Sequence, residues 1–233
     1  MSDRLQSSYY DRAVDHGAQN RVLRNTYWLL AASLAPTVLG AWVGLVTGVG
    51  YMLRGWLGLA VFLGGAWGFM WAIQKNRNSG AGVALLLGFT FFMGVMLSRL
   101  VGMVLGMGNG EALVMSAMGG TAGVFAVMAM LSSVIKRDLS GMGRWLSVGA
   151  VITFVGFLAC ALLSVFFSGP ALPLLMAMCG LSIVVFSLYM LYDIKQIIDG
   201  GETNYVMATL NLYLDIYNVF QSLLMLLGLT SND

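Results

Sequence analysis

Residues 208–227 read ATLNLYLDIYNVFQSLLMLL, a run long enough to cross a bilayer and apolar except at a few places, chiefly Asn211, Asp215, Asn218 and Gln221. At spacings of four, three and three, these four side chains form a polar seam along one face of a helix. An ionisable carboxylate near mid-bilayer costs roughly 3 kcal/mol on insertion scales, so Asp215 is expected to face a partner, a wet cavity or a bound ion rather than lipid. A second carboxylate, Asp193, stands near the end of the preceding apolar run.

The rest of the chain has the composition to pack helices around this one: 59% of its 233 residues are hydrophobic and 9% charged, with 30 glycines and 17 methionines. A helix crossing the hydrocarbon layer needs about 20 apolar residues. Seven such stretches fall at 26–50, 55–73, 81–106, 112–135, 145–167, 171–192 and 206–229. Uninterrupted runs of this length do not fit the alternating pattern of a barrel strand. The expected fold is therefore all-α, a polytopic membrane protein built as a seven-transmembrane-helix bundle. Two regions are expected: a flexible, uncleaved cytoplasmic tail over residues 1–25 and one transmembrane domain over 26–230, with short loops and no inserted soluble domain. Basic residues set the orientation. Arg4, Arg12, Arg21 and Arg24 precede the first span, Lys75 and Arg77 follow the second, Lys136, Arg137 and Arg144 follow the fourth, and Lys195 follows the sixth, against Arg54 alone on the other side. The amino terminus is expected in the cytoplasm and the Ser231-Asn232-Asp233 end outside.

Several function classes fall away. The net charge of +2 comes from orientation signals rather than a gathered basic footprint, so no nucleic acid is implied. Cys160 and Cys179 lie inside expected spans and read as small buried apolar residues, and the methionines as flexible filler. His16 is the sole histidine, which supports neither a zinc site nor a His-paired nucleophile. Gly64-x-x-x-Gly68, Gly102-x-x-x-Gly106 and Gly119-Gly120 read as close helix contacts, and Pro36 as a kink in the first span. Arg99, near the end of the third span, reads as snorkelling its guanidinium to the outer interface, the alternative being a pair with a buried carboxylate.

Asp193 lies in Tyr192-Asp193-Ile194-Lys195, where its carboxylate is either simply wet at a helix end or part of a polar face continued by Tyr189 and Gln196. If it meets Asp215, two like charges in a poorly solvated site titrate as a pair. At low pH a shared proton, or Lys75 or Arg77 reaching in as a latch from the cytoplasmic side, would hold the pair closed. At higher pH two carboxylates with the amide oxygens of Asn211, Asn218 or Gln221 would offer the hard oxygen ligands that Ca²⁺ prefers.

These residues also carry a resemblance. Gly200-Gly201-Glu202-Thr203-Asn204-Tyr205, then Ala208-Thr209 and Leu212-Tyr213, with the pairs Tyr192-Asp193 and Leu214-Asp215, resemble the C-terminal signature of the Bax inhibitor family, and most closely its bacterial YccA-like branch. Val22-Leu23-Arg24-Asn25-Thr26-Tyr27 and Lys136-Arg137-Asp138-Leu139-Ser140 extend the likeness over nearly the whole chain. The resemblance implies a pH-sensitive calcium leak governed by an aspartate pair, here Asp193 and Asp215, and binding to the membrane protease FtsH as its modulator in the bacterial inner membrane. The family's basic latch maps loosely onto Lys75 or Arg77.

Three readings follow: a leak protein, carried by the seam and the second carboxylate; an interaction protein that regulates FtsH-dependent proteolysis without ion flux, its polar tail serving as a handle; and an intramembrane aspartyl protease. The last fits poorly, because its second acid is expected in a Gly-x-Gly-Asp setting and Asp215 follows Leu212-Tyr213-Leu214. Likewise, no half-to-half repeat supports a proton-coupled transporter. The expectation is a non-enzymatic channel-like protein without a cofactor, with Ca²⁺ as the transported or bound ion.

Overall fold

The computed structural model describes residues 2–53, 55–166 and 172–231, with side chains described at 17, 19–53, 55–163 and 172–231. The readings of Arg54, His16 and the charged side chains before it fall outside these residues. Among the described residues there are eight helices and no strand: α1 (Ser2–Thr47), α2 (Val49–Met52), α3 (Gly55–Asn76), α4 (Gly80–Leu105), α5 (Gly110–Val134), α6 (Met142–Phe166), α7 (Leu172–Ile198) and α8 (Tyr205–Thr230). All but α2 are long and apolar enough to cross a membrane, giving the seven expected spans. The polar segment 2–25 is helical and continuous with the first span, and the helix runs on through Pro36. That span ends at Thr47, because Gly48 takes a left-handed φ of 71° before the single turn of α2.

The helix α8 is the least apolar of the seven spans and also the most buried. It packs against α7, α5, α1 and α4, so the seam-bearing helix occupies the middle of the bundle while its more apolar neighbours meet lipid. Its side facing α1 and α4 is held by hydroxyls. Tyr213 OH and Thr37 Oγ1 are 3.0 Å apart, and Tyr213 OH also reaches the carbonyl of Thr90 at 3.4 Å. Tyr217 OH donates to the carbonyl of Met93 at 3.4 Å, and Thr209 Oγ1 to that of Thr26 at 3.4 Å. Each such bond contributes about 0.6 kcal/mol in membrane bundles.

Close helix contact does depend on glycine, but at other glycines than the sequence spacing suggests. A Cβ on Gly40 would strike the carbonyl of Phe91, one on Gly44 would strike Ser98 Oγ, and one on Gly94 the carbonyl of Thr37, so α1 and α4 cross backbone to backbone. A Cβ on Gly102 would crowd Tyr51 OH and one on Gly120 would touch Leu223, as expected of packing glycines, whereas Gly64, Gly68 and Gly119 face open space. A small-residue spacing records only that two glycines share a face, and those faces of α3 and α5 have no helix against them. Cys160 and Cys179 are buried and free.

The Gly200–Asn204 turn joins α7 to α8 and fixes their relative position. Gly200 ends α7 at φ 80°, with its N–H and that of Gly201 returning to the carbonyls of Ile197 and Gln196. Asn204 then caps α8: its Oδ1 accepts from the N–H groups of Val206 and Met207, both at 3.1 Å. Its Nδ2 donates to the carbonyl of Arg77 at 3.0 Å and to Asn78 Oδ1 at 2.8 Å, stapling the α3–α4 turn to the same end of the bundle. Beyond α5, Asp138 accepts from Ser140 N–H and Oγ, which holds its carboxyl below the usual carboxylate range. Replacing Asn204 with Ala is expected to lower stability by about 1–2 kcal/mol, as for loss of a helix cap. Thermal melting in detergent checks this, with the exposed Thr203→Ala unchanged to within about 0.5 kcal/mol.

Candidate functional site

The helix α7 extends past residue 192 to Ile198, so two residues expected beyond the sixth span lie inside its final turns. Lys195 is one: it is buried, with Nζ 2.6 Å from Asp199 Oδ1, one turn further along. It is a helix residue rather than a loop charge, because a lysine in the last turn complements the helix dipole and the Asp199 partner offsets its burial. Asp193 is the other. It is half-buried within α7, and its carboxyl interacts with that of Asp215 on α8.

On α8, Asp215 is 4% exposed and its Oδ2 is fully buried without a donor. The carboxyl groups of Asp193 and Asp215 lie within hydrogen-bonding reach of each other across the α7–α8 contact. Two ionised carboxylates have no proton between them, and the contact becomes a hydrogen bond only when one of them carries it. The structure thus brings together the pair picked out in the sequence. The α7–α8 contact is fixed nearby by Ser222 Oγ donating to Ser182 Oγ at 2.8 Å.

Asp193 also lines a cleft of about 220 Å³ together with Tyr192, Gln196, Gly201, Glu202 and Asn211. This cleft opens at the end of the bundle that carries the Gly200–Asn204 turn. Gln196 occupies the space that a side chain on Gly201 would take, and Gln19 of α1 packs over Gly200. Glu202 accepts the Asn204 N–H at 2.7 Å and faces Asp193, making it a third acid at the site. Sequence reasoning quoted Glu202 within the turn but gave it no role; the signal was its position one helix end away from Asp193. Tyr189, by contrast, turns its hydroxyl to Ser147 of α6 at 3.1 Å.

The seam divides. Asn211 and Asp215 share the side of α8 that faces the Asp193 cleft, and Asn218 on that side satisfies its Nδ2 on the carbonyl of Leu214 at 2.7 Å. Gln221 does not join them. Successive steps of three and four residues drift round a helix, so that Gln221 stands about 120° from Asp215. It lines a second cleft with Tyr217 and Arg99 instead.

The structure does not bring the basic latch candidates onto the pair. Lys75 is exposed, with Nζ 5.1 Å from the centre of the Trp71 ring, a cation–π contact. Arg77 is exposed as well and meets the site only through its carbonyl, on Asn204. Among the described residues no three of His, Cys, Asp and Glu are gathered to hold a metal ion. What the pair and Asn211 do offer is a line of oxygen atoms leading from an open cleft into the bundle.

Comparison with known proteins extends over nearly the whole chain. The family described as inhibitor of apoptosis-promoting Bax1 matches residues 19–232, a range that holds both carboxylates and all seven spans. The chain is similar to a protein named modulator of FtsH protease YccA from Escherichia coli K12, 36% identical over 231 residues, covering 99% of this chain and all of the relative. It is similar to the same extent to an inner membrane protein of a second Escherichia coli strain. An uncharacterized protein of Neisseria meningitidis is 36% identical over 234 residues, or 98% of this chain and all of that one. With its seven spans, its signature turn and its α7–α8 carboxylates falling inside that match, the chain belongs to the Bax inhibitor family of membrane proteins.

Proposed function

We propose that this protein is an inner-membrane cation leak in which Asp193 and Asp215 form a proton-sensitive gate, and that it also modulates the FtsH protease. The observation that carries the leak is Asp215: a carboxyl oxygen buried without a donor, facing a second carboxyl that lines an open cleft. A proton held between the two satisfies both acids and closes the α7–α8 contact. Its loss leaves two like charges within hydrogen-bonding reach, which is unfavourable unless the helices part or a cation enters between them. Ca²⁺ prefers such carboxylate and amide oxygens, and the pair with Asn211 supplies part of its ligand set, water the remainder, while Glu202 adds negative charge at the mouth of the cleft. Asn218 and Gln221 are set apart from this path by their own contacts. Lys75 or Arg77 acts as a latch only after leaving the positions described, so any latching belongs to a second conformation.

The basic residues support a cytoplasmic amino terminus. Arg77, Lys136, Arg137, Arg144 and Lys195 all belong to the end with the Gly200–Asn204 turn, and the cleft then opens to the cytoplasm. Modulation of FtsH is supported by the relative of that name, matched over its full length. Neither part of the reading requires catalysis.

Ca²⁺ flux into proteoliposomes between pH 5 and 8 tests the gate. Flux is expected to rise with pH in the native chain, and in Asp215→Asn and Asp193→Asn the pH dependence is expected to flatten. Equal silence of all three proteins would leave FtsH modulation, without ion flux, as the function. Removal of residues 2–17, which spares Gln19 on the Gly200 turn, is expected to keep the leak. The same truncation should abolish the effect on turnover of a membrane substrate by purified FtsH, while Asp215→Asn leaves that effect intact.

A further inference from the structure

The second cleft lies at the end of the bundle away from the Asp193 site and has a different character. It has a volume of about 210 Å³ and sits between the α2–α3 segment, α4 and α8, with Arg99, Gln221 and Tyr217 as its polar lining and Leu53, Phe62 and Leu100 among its apolar walls. Arg99 stands six residues before the end of α4, about 9 Å along the axis; a helix of 26 residues exceeds the ~30 Å hydrocarbon layer by about 4–5 Å at each end, so Arg99 falls a few ångströms inside that layer with the headgroups in reach of its side chain. Its side chain is exposed and makes no ion pair among the described residues. The acids near enough to answer it are few. Of those described, Asp138, Asp193, Asp199 and Glu202 belong to the other end, Asp215 faces Asp193, and Glu111 is exposed in the first turn of α5 without an ion pair. A guanidinium at that depth needs a counter-charge, and the described residues supply none within the cleft.

The shape of the cleft indicates what brings that charge. Gly50 abuts Ser98 Oγ and the Arg99 backbone, which holds this turn against α4, and Gly58 abuts the carbonyl of Leu53, which folds α3 closely back on the same turn. Along the same segment Tyr51, Met52 and Leu57 are exposed, an apolar and aromatic rim suited to the bilayer interface. Tyr217 OH is occupied by the Met93 carbonyl, which leaves the Gln221 amide as the second free donor beside the five N–H groups of Arg99. A planar fork with one neighbouring amide is the arrangement that binds a phosphate through two parallel bonds. An apolar rim beside it accepts acyl chain.

We propose that this cleft binds an anionic phospholipid of the leaflet it faces, the phosphate held by Arg99 and Gln221 and the acyl chains running along the α2–α3 rim. The site is independent of the carboxylate pair.

Native mass spectrometry of the full chain, exchanged into mixed micelles of phosphatidylglycerol and phosphatidylcholine, tests the assignment. The native protein is expected to retain phosphatidylglycerol preferentially. Arg99→Gln should reduce that preference about tenfold, the size expected for losing a charge-assisted hydrogen-bonded pair, with Arg99→Lys in between because an ammonium cannot fork. Gln221→Leu should reduce it several-fold and stands as the deciding variant if Arg99→Gln does not fold. Inorganic phosphate at millimolar concentration should not displace the lipid, since it makes no rim contact. Unchanged preference in a folded Arg99→Gln or, failing that, in Gln221→Leu would overturn the proposal, and so would displacement by phosphate, which would assign the cleft to a free anion.

Discussion

The arrangement of this bundle turns on one buried acid. Asp215 lies on the span with the lowest mean hydropathy, at a depth where lipid cannot solvate it, and that helix must therefore be enclosed by others. Enclosure alone leaves the carboxyl unsatisfied, and the group that faces it from α7 is a second acid, Asp193. The α7–α8 contact is accordingly the one flank of α8 built on ionisable groups. The remaining contacts of α8 are of the opposite kind.

Those contacts are neutral and close. Tyr213 and Tyr217 hydrogen-bond to α1 and α4 through hydroxyls and carbonyls that do not titrate near neutral pH in any partner. The glycine seats of α1 and α4 bring those two backbones so close that a Cβ on Gly40 or Gly94 would strike the facing carbonyl. One side of α8 is thus fixed by permanent dipoles and steric fit, the other by an ionisable pair. The ionisable pair is set across the helix from neutral, closely packed contacts.

Charge is also segregated along the membrane normal. One end of the bundle holds the acids Asp193, Asp199 and Glu202 together with the basic loop residues that orient the chain. The other end presents Arg99 without an acid in its cleft. The two clefts are of similar size but differ in the sign of the charges that line them.

Much of this was legible in the order of the residues. Apolar runs of membrane length determine seven helices, since a backbone in hydrocarbon has no other way to satisfy its N–H and C=O groups. Asp215 within such a run is anomalous wherever its helix lies, and Gly200 and Asn204 announce a helix end and a helix start by their own backbone and capping preferences. What the order of residues does not contain is which faces meet. The drift of α8 that carries Gln221 away from Asp215, the extension of α7 that takes Asp193 and Lys195 inside a helix, and the vacant faces of Gly64 and Gly68 all depend on where neighbouring helices stand. Glu202 became part of the site for the same reason: the turn closes over Asp193, and only packing in three dimensions brings a residue nine positions away to the mouth of the same cleft. Local propensity and burial are properties of a sequence; the meeting of two carboxyls on different helices is a property of the tertiary structure that the other helices hold in place.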